Sequence, residues 1–257
     1  MLSKLQRLKF AKGNAKLAND TAIFSLPAGY SCPFARDCLS KAHKLTGKLT
    51  DGVGIRFRCY AATAENLFSN IRLGRWRNFD KLTACHSVPE TVGLIACSIP
   101  RRNTKLVRVH SSGDFFSQAY FDAWMEVARL LPSLTFYAYT KALPFWVARL
   151  GHIPHNFKLV ASRGGSHDHL INLHKLRNVR VVFSEAQAAK FWRVPLDHDD
   201  KLAWCGDGNF ALLLHGTQPA GSRAGKVLYA LRKAGKGGYK ANYFDHYKKS
   251  GKGKGAK

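Results

Sequence analysis

Short apolar runs separated by helix-like segments form the main pattern of this chain. Six runs are rich in β-branched and aromatic residues, and their lengths suit strands rather than helices. They span residues 22–26, 106–109, 134–139, 157–161, 179–183 and 210–214. Because these runs are apolar on successive positions rather than alternating, they predict strands of a sheet that is covered on both faces.

Helical periodicity fills most of the intervals between the runs. Tyr120, Trp124 and Val127 recur at helical spacing within residues 118–129, and a second helix is predicted from residue 61 to about residue 73. Alternation of strand, helix and strand indicates parallel strands joined by right-handed crossovers. The sequence therefore predicts an α/β fold, specifically a partial or open (β/α) barrel with parallel strands.

Polar residues, often with glycine, follow these strands at their carboxyl ends, where such folds place their sites. Cys32 and Cys38 follow the first run, residues 110–114 follow the second, and Thr140 and Lys141 follow the third. Since the carboxyl ends of parallel strands meet at one edge of a sheet, the sequence predicts one site assembled from several strand ends.

The cysteines carry the candidate chemistry. The chain has six cysteines, and its start has no apolar signal segment, which predicts a reducing cytoplasm and ligating, catalytic or buried thiols rather than disulfides. Cys32, Cys38 and Cys59 lie close together in polar segments that contain arginine, and Cys205, followed by glycine, is the candidate fourth ligand. Soft thiolates select zinc, copper(I) or iron–sulfur clusters. The spacing lacks the paired CxxC of structural zinc sites and permits a 4Fe–4S cluster, so zinc is the alternative.

The charge of the chain points to a polyanionic partner. Lys and Arg number 41 against 16 Asp and Glu, a formal net charge of +25, which favours non-specific, electrostatic contact with nucleic acid. Basic residues alternate with aromatic residues, which is typical of a groove that binds single-stranded nucleic acid. The predicted contact residues are Arg56, Arg58, Arg72, Arg75, Trp76 and Arg77. No apolar run is long enough to predict a transmembrane helix.

Composition divides the chain into three regions. Residues 1–20 form a basic N-terminal arm, residues 21–238 a single α/β domain, and residues 239–257 a flexible tail rich in lysine and glycine. The acidic run at residues 197–200 has the composition of a divalent-cation site. We interpret it as a solvated loop, the commoner role of such runs.

Four segments, taken in order, carry a resemblance to known proteins. They are FSLPAGYSCP at residues 24–33, RCYAA at 58–62, HSSGDF at 110–115 and FYAYTK at 136–141. Over roughly residues 20–235 the chain resembles the bacteriophage "gene product 88" family. The same order resembles a group of phage proteins related to radical S-adenosylmethionine enzymes.

The resemblance implies a partial barrel with a 4Fe–4S cluster at its mouth. The cysteines that match are Cys32, Cys38 and Cys59, although their spacing departs from the usual three and two intervening residues. In radical enzymes a glycine-rich strand end holds the amino group of S-adenosylmethionine, and another strand end contacts the cofactor or substrate. The residues in these places are Ser112, Gly113, Asp114, Thr140 and Lys141.

These observations lead to one expectation and two alternatives for function. The expectation is an iron–sulfur protein whose cluster is redox-active or structural, held with the help of Cys205, and which contacts nucleic acid. A cluster with four cysteine ligands leaves no iron for S-adenosylmethionine. The first alternative is a radical S-adenosylmethionine enzyme, which therefore needs a cluster held by three cysteines. The second alternative is a zinc-stabilised nucleic-acid-binding module.

Overall fold

The described part of the chain comprises residues 7–13 and 17–235 of a computed structural model. The predicted tail, residues 239–257, and the first six residues of the predicted arm lie outside it. The described part of the arm packs on the domain, because Leu8 and Leu17 are buried and the Leu8 N–H donates to Ser98 Oγ at 2.8 Å.

Most strands belong to one sheet in which neighbours run parallel. The described strands are β1 (Ala11–Lys12), β2 (Thr21–Ile23), β3 (Ser40–Ala42), β4 (Leu49–Asp51), β5 (Leu106–Val109), β6 (Thr135–Thr140), β7 (Phe157–Ser162), β8 (Asn178–Val182) and β9 (Phe210–Leu213). Seven of them form a sheet in the order β1-β2-β5-β6-β7-β8-β9, parallel except for β1 against β2, and β3 pairs with β4 in a separate antiparallel hairpin. The predicted α/β fold with a mostly parallel sheet is confirmed.

The sheet is open and its strands follow chain order from β2 to β9. In the described residues β1 and β9 lie at opposite edges and do not pair with each other, so the sheet does not close into a barrel. A doubly wound sheet would reverse direction at a switch point, and this sheet does not. All carboxyl ends from β2 to β9 therefore lie along one continuous rim.

The helices cover the sheet and form the connections. In the described residues they are α1 (Tyr60–Leu67), α2 (Ser69–Thr83), α3 (Val88–Ser98), α4 (Gln118–Leu130), α5 (Leu143–Val147), α6 (His169–Leu173), α7 (Glu185–Gln187, continued by a π-helical turn, Ala188–Trp192), α8 (Lys201–Cys205) and α9 (Arg223–Lys233). None of them has both the length and the apolar character needed to cross a bilayer.

Helix α4 agrees closely with its prediction. Tyr120, Trp124 and Val127 are all buried, and Ser117 caps the helix by accepting from the Tyr120 N–H at 3.2 Å. The helix packs with α3 against one face of the sheet, where Trp124 and Phe24 lie in the largest apolar cluster. The predicted stripe is therefore the face by which this helix joins the core.

The helix predicted from residue 61 to about residue 73 is in fact two helices, and the second continues past that end. Phe68 has extended backbone angles and separates α1 from α2, which reaches Thr83. The guanidinium of Arg72 donates to the Glu65 carbonyl oxygen at 2.6 Å and to the Lys44 carbonyl oxygen at 3.1 Å. The first bond satisfies a carbonyl that the end of α1 leaves without a helical partner, and the second joins α2 to the turn between β3 and β4.

Candidate metal centre

A cavity of about 170 Å³ lies at the carboxyl-end rim of the sheet, and three cysteines line it. Cys32 and Cys38 lie on the loop between β2 and β3, Cys59 lies on the loop before α1, and all three contribute to its wall. The structure therefore brings together three of the four cysteines that the sequence predicts as ligands. In this article the cavity is called the thiol cavity.

The β3–β4 hairpin explains the long gap between the second and third thiols. Cys38 directly precedes the hairpin and Cys59 follows it at the start of α1. Ser40 opens the hairpin opposite Asp51, and its hydroxyl accepts from the Cys59 N–H at 3.3 Å. The twenty residues between the two cysteines are thus largely a hairpin that leaves the cavity and returns to it.

The loop that carries the first two thiols is joined by backbone hydrogen bonds to the rim of the sheet. Between them, the Arg36 and Asp37 N–H groups donate to the Gly164 carbonyl oxygen at 3.2 and 2.9 Å, just beyond β7. Within the loop, the Gly29 N–H donates to Cys32 Sγ at 3.3 Å. Cys32 and Cys38 therefore lie on a loop held by backbone hydrogen bonds.

The thiols influence one another electrostatically. Burial raises the pKa of Cys32 well above its usual value, and Asp114, Cys59 and Cys38 raise it further. Burial, followed by the neighbouring Cys38, raises the pKa of Cys59 to about 11. A metal binds the thiolate form, so any metal bound by these cysteines would displace protons and would bind more tightly as the pH rises.

Asp114 connects the ends of the two central strands beside the thiols. Its Oδ1 accepts from Thr140 Oγ1 at 2.6 Å and from the Phe115 N–H at 2.8 Å, and its Oδ2 accepts from the Lys141 N–H at 2.7 Å. Burial raises the pKa of Asp114, and the hydrogen bonds from Thr140 and Lys141 lower it. Its carboxylate therefore positions the strand ends.

The other predicted strand-end residues lie at the same place. Ser112, Gly113, Asp114 and Lys141 line the thiol cavity, whereas Thr140 is fully buried next to them. The Lys141 ammonium lies at the cavity wall and donates to Ser162 Oγ at 2.6 Å. The structure thus gathers these residues with the three thiols.

Glu65 links α1 to this rim, a contact that the sequence analysis does not predict. This fully buried carboxylate accepts through Oε1 from the Ala28 N–H at 2.9 Å, from Arg75 at 2.7 Å and from Ser112 Oγ at 3.3 Å. Burial raises the pKa of Glu65, and Arg75 opposes that shift. Its one sequence signal is a lone acid on an otherwise basic helical segment.

Gly113 cannot be replaced without strain, and this gives a prediction with a matched control. Its φ is +85°, and an added Cβ would lie 2.5 Å from Ser31 Oγ and 2.7 Å from Leu26 Cβ. We expect Gly113→Ala to lower the free energy of unfolding by about 1–3 kcal/mol. Gly93, a helical glycine with open space around it, is the control, and Gly93→Ala should raise that free energy by roughly 0.5–1 kcal/mol. Urea denaturation measures both, and equal effects would contradict the assigned geometry.

The inner wall of the cavity contains a buried ion pair, a second feature absent from the sequence analysis. Arg108 and Asp200, whose side chains are 11% and 1% exposed, pair at 2.7 Å, and the Arg108 guanidinium lies 5.5 Å from the centre of the Tyr139 ring. The interpretation of residues 197–200 as a solvated loop is therefore wrong for Asp197 and Asp200, which are both buried. The available signal was an arginine inside an apolar strand, Leu106–Val109.

Cys205 does not join the other three thiols. It is exposed at the end of α8, and its Sγ donates to the Lys201 carbonyl oxygen at 3.0 Å. Arg177, which directly precedes β8, donates to the Ala203 carbonyl oxygen of the same helix at 2.9 Å. The end of α8 that carries Cys205 thus lies near the amino end of β8, whereas Asp200, at the start of the same helix, lines the thiol cavity.

Two of the predicted nucleic-acid contacts are directed into the protein. Arg72 is buried against backbone carbonyls, and Arg75 pairs with Glu65 at 2.7 Å with its side chain 12% exposed. Arg58 lines the thiol cavity and forms an ion pair with Asp51. These arginines stabilise the loops around the thiols, so the six predicted residues do not form one continuous groove.

The remaining three lie nearer to the surface. Trp76 packs edge-on against Tyr30 with ring centres 4.8 Å apart, and Arg77 is exposed on α2. Arg56 is exposed and pairs with Asp37 at 3.3 Å. Of the predicted set, Arg56 and Arg77 are therefore accessible to a polyanion.

A single metal ion and a cluster need different arrangements of the ligating side chains. Within residues 7–13 and 17–235, no three side chains of His, Cys, Asp or Glu are grouped so that they could hold one metal ion. A cluster makes a different demand, because its iron and sulfide atoms lie between the thiolates and keep them apart. Cys32, Cys38 and Cys59 are half-buried and line one cavity.

Comparison with known proteins identifies the family. The family model described as "Gene product 88" matches residues 4–234. The chain belongs to the Gene product 88 family. This agrees with the resemblance carried by the four sequence segments, and it covers the sheet, the helices and all six cysteines.

Two mycobacteriophage relatives match about half of the chain. The "Gene 88 protein" of Mycobacterium phage L5 is 32% identical over 138 residues, which are 50% of this chain and 51% of that protein. The "Gene 88 protein" of Mycobacterium phage D29 is 29% identical over 142 residues, 50% of each chain. The matched segment thus spans about half the length of these relatives, whose names state no activity. No solved structure matches the chain.

Proposed function

We propose that the protein holds a 4Fe–4S cluster on Cys32, Cys38 and Cys59, at the mouth of an open (β/α) half-barrel of the radical S-adenosylmethionine type. The observation that carries this proposal is that three thiols from two separate loops line one cavity at the carboxyl-end rim. In α/β folds this rim is where ligands bind.

A cluster agrees with the arrangement better than a zinc ion does. Zinc needs its ligands around one point at about 2.0–2.3 Å, and no such group occurs in the part of the chain that the structure describes. Cys38 nevertheless raises the pKa of both Cys32 and Cys59, which indicates that the three thiols are neighbours. Half-buried thiols that are neighbours but do not meet around a single point favour a polynuclear centre.

The position of Cys205 favours the three-cysteine form. Cys205 lies on α8, which is hydrogen-bonded near the amino end of β8, so the cluster would have one iron without a cysteine ligand. When bound, a 4Fe–4S cluster supplies one-electron chemistry. This favours the radical S-adenosylmethionine alternative over a cluster with four cysteine ligands.

The chain's own residues would prepare this site in three ways. Asp114 holds the ends of β5 and β6 together, so that the backbone of Ser112 and Gly113 forms a fixed part of the wall. The Tyr60 hydroxyl donates to the Ser111 carbonyl oxygen and fixes α1 against β5. The Lys141 ammonium supplies a positive charge beside the thiols.

Anaerobic purification followed by reconstitution with iron and sulfide tests the proposal. We expect a brown protein with broad visible absorbance, iron and sulfide in equal amounts, and a reduced-state EPR signal that S-adenosylmethionine perturbs. Formation of 5′-deoxyadenosine with dithionite as electron donor would establish the enzyme. A colourless protein that retains stoichiometric zinc would contradict the cluster, and an EPR signal indifferent to S-adenosylmethionine would contradict the open iron.

A further inference from the structure

We propose that the inner half of the thiol cavity binds an uncharged heteroaromatic ring with a hydrogen-bond-accepting oxygen, the chemistry of a nucleobase. The proposal deepens the proposed function, on which it rests for the role of the cavity, by naming the class of molecule presented to the thiol end. Four properties of the wall support it: its aromatic surfaces, its balanced charge, its unused donors and its strained backbone.

The wall offers flat apolar surfaces of the kind on which bases stack. Phe57, Tyr60, Tyr139 and His215 contribute aromatic rings, and the rings of Tyr60 and His215 lie 4.6 Å apart. Leu212 adds aliphatic surface from β9. Because every base has a π-face, such surfaces bind bases of any sequence. The cavity volume of about 170 Å³ is below the ~300–1,000 Å³ of drug-sized ligand sites, so a single ring suits it better than a chain.

The charged side chains of the wall are balanced, which favours an uncharged ligand. Arg108 is paired with Asp200 at 2.7 Å, and Arg58 is paired with Asp51. The remaining cation, Lys141, acts electrostatically on Asp114 and lowers its pKa. A phosphate entering the cavity would have to compete with carboxylates already in place, whereas a neutral ring disturbs none of these pairs.

Two hydrogen-bond donors on the inner wall lack a partner in the described structure. Arg108 Nε and the Tyr139 hydroxyl are buried without one, and both residues line the cavity. Buried donors are almost always hydrogen-bonded in folded proteins, so an exception indicates a missing group. A carbonyl oxygen on a bound ring accepts from both donors, and the Arg108–Asp200 pair remains intact.

Backbone strain is concentrated at the same wall. His110 and Asp200 have positive φ values of 66° and 63° although neither is glycine, and both line the cavity. Such conformations are costly and persist where the surrounding structure enforces them, often at binding sites. In this conformation the Asp200 carboxylate pairs with the Arg108 guanidinium at 2.7 Å.

The ring could belong to a free nucleoside or to a base within a single-stranded nucleic acid, and two arginines near the cavity bear on this choice. Arg36 and Arg56, whose side chains are 61% and 58% exposed, share one carboxylate, Asp37, next to Cys38. This leaves a net positive charge at the mouth of a protein whose total charge is +25. Phosphates of a strand can pair there while one of its bases enters the cavity.

The test measures binding of uridine, cytidine, adenosine and guanosine to the full-length chain by calorimetry, in metal-free and in reconstituted protein. Tyr139→Phe is expected to weaken binding of the preferred nucleoside at least tenfold. It should leave the melting temperature unchanged or higher, because it removes a buried hydroxyl that has no partner. Tyr137→Phe is the matched control on the same strand, because the Tyr137 hydroxyl donates to Asp200 at 3.4 Å and Tyr137 is not part of the wall. It should retain nucleoside affinity.

A second arm uses single-stranded oligonucleotides and the double variant Arg36→Ala with Arg56→Ala. If the double variant weakens oligonucleotide but not nucleoside binding, the ring belongs to a strand; if it weakens neither, the ligand is free. Both outcomes support the ring site, provided that Tyr139→Phe also weakens binding of the same ligand. Oligonucleotide binding indifferent to Tyr139→Phe, or absence of nucleoside binding in both protein forms, would overturn it. Iron content is measured separately, so nucleoside binding by protein that takes up no iron would contradict only the cluster.

Discussion

Replacing Cys59 with serine is expected to abolish the visible absorbance of the reconstituted protein, with loss of nearly all bound iron. Cys59 is one of only three thiols that line the cavity in the described structure, and a serine hydroxyl does not replace a soft thiolate at neutral pH. Cys32→Ser and Cys38→Ser should give the same result. The measurement is iron and sulfide content together with the visible spectrum.

Two cysteines of the same chain serve as matched controls for this prediction. Cys97 and Cys205 are exposed and lie outside the cavity, so Cys97→Ser and Cys205→Ser should retain the full absorbance. The melting temperature of each metal-free variant separates ligand loss from misfolding. Loss of absorbance in Cys205→Ser alone would contradict the three-cysteine site and restore Cys205 as a ligand.

Replacing Arg108 with methionine is expected to lower the free energy of unfolding by about 3–5 kcal/mol, because it leaves a buried carboxylate without its counter-charge. Asp200 is 1% exposed and pairs with Arg108 at 2.7 Å. For a domain of this size the loss corresponds to a fall in melting temperature of roughly 10 °C. Thermal and urea denaturation measure it.

A double variant and a surface pair complete this experiment. Arg108→Met combined with Asp200→Asn should recover much of the loss, because asparagine carries no charge and tolerates the positive φ at this position. Lys44 and Asp80 form an ion pair whose side chains are 41% and 52% exposed, and Lys44→Met should cost less than about 1 kcal/mol. Equal costs for Arg108→Met and Lys44→Met would contradict the burial of the inner pair.

The thiol cavity and the protein surface differ in their electrostatics, and both differences bear on function. The chain carries a net charge of +25, yet the cations at the cavity wall lie beside carboxylates, as Arg108 beside Asp200. The raised pKa values of Cys32 and Cys59 also keep those thiols neutral at physiological pH. The net positive charge thus lies at the surface, whereas the charges of the cavity wall are largely paired.

The sequence by itself determines the six parallel strands, the principal helix and the edge at which the site forms, but it does not predict β1 or the β3–β4 hairpin. Apolar runs and helical spacing are local signals, so β5 matches its predicted bounds and α4 agrees within one residue. The gathering of Cys32, Asp114 and Lys141 also follows from sequence, since carboxyl ends of parallel strands must meet at one rim. The order of the strands along that rim agrees with the predicted crossovers.

Tertiary structure alone decides which of the remaining candidates reach the site. Cys205 and Asp200 lie five residues apart, yet Cys205 is exposed on α8 while Asp200 lines the thiol cavity. Arg72 and Arg75 are directed inward because the backbone carbonyls and Glu65 beside them need donors. These outcomes depend on hydrogen bonds and ion pairs between residues distant in sequence. Local periodicity carries no information about such pairs, and burial makes each of them obligatory once the chain has folded.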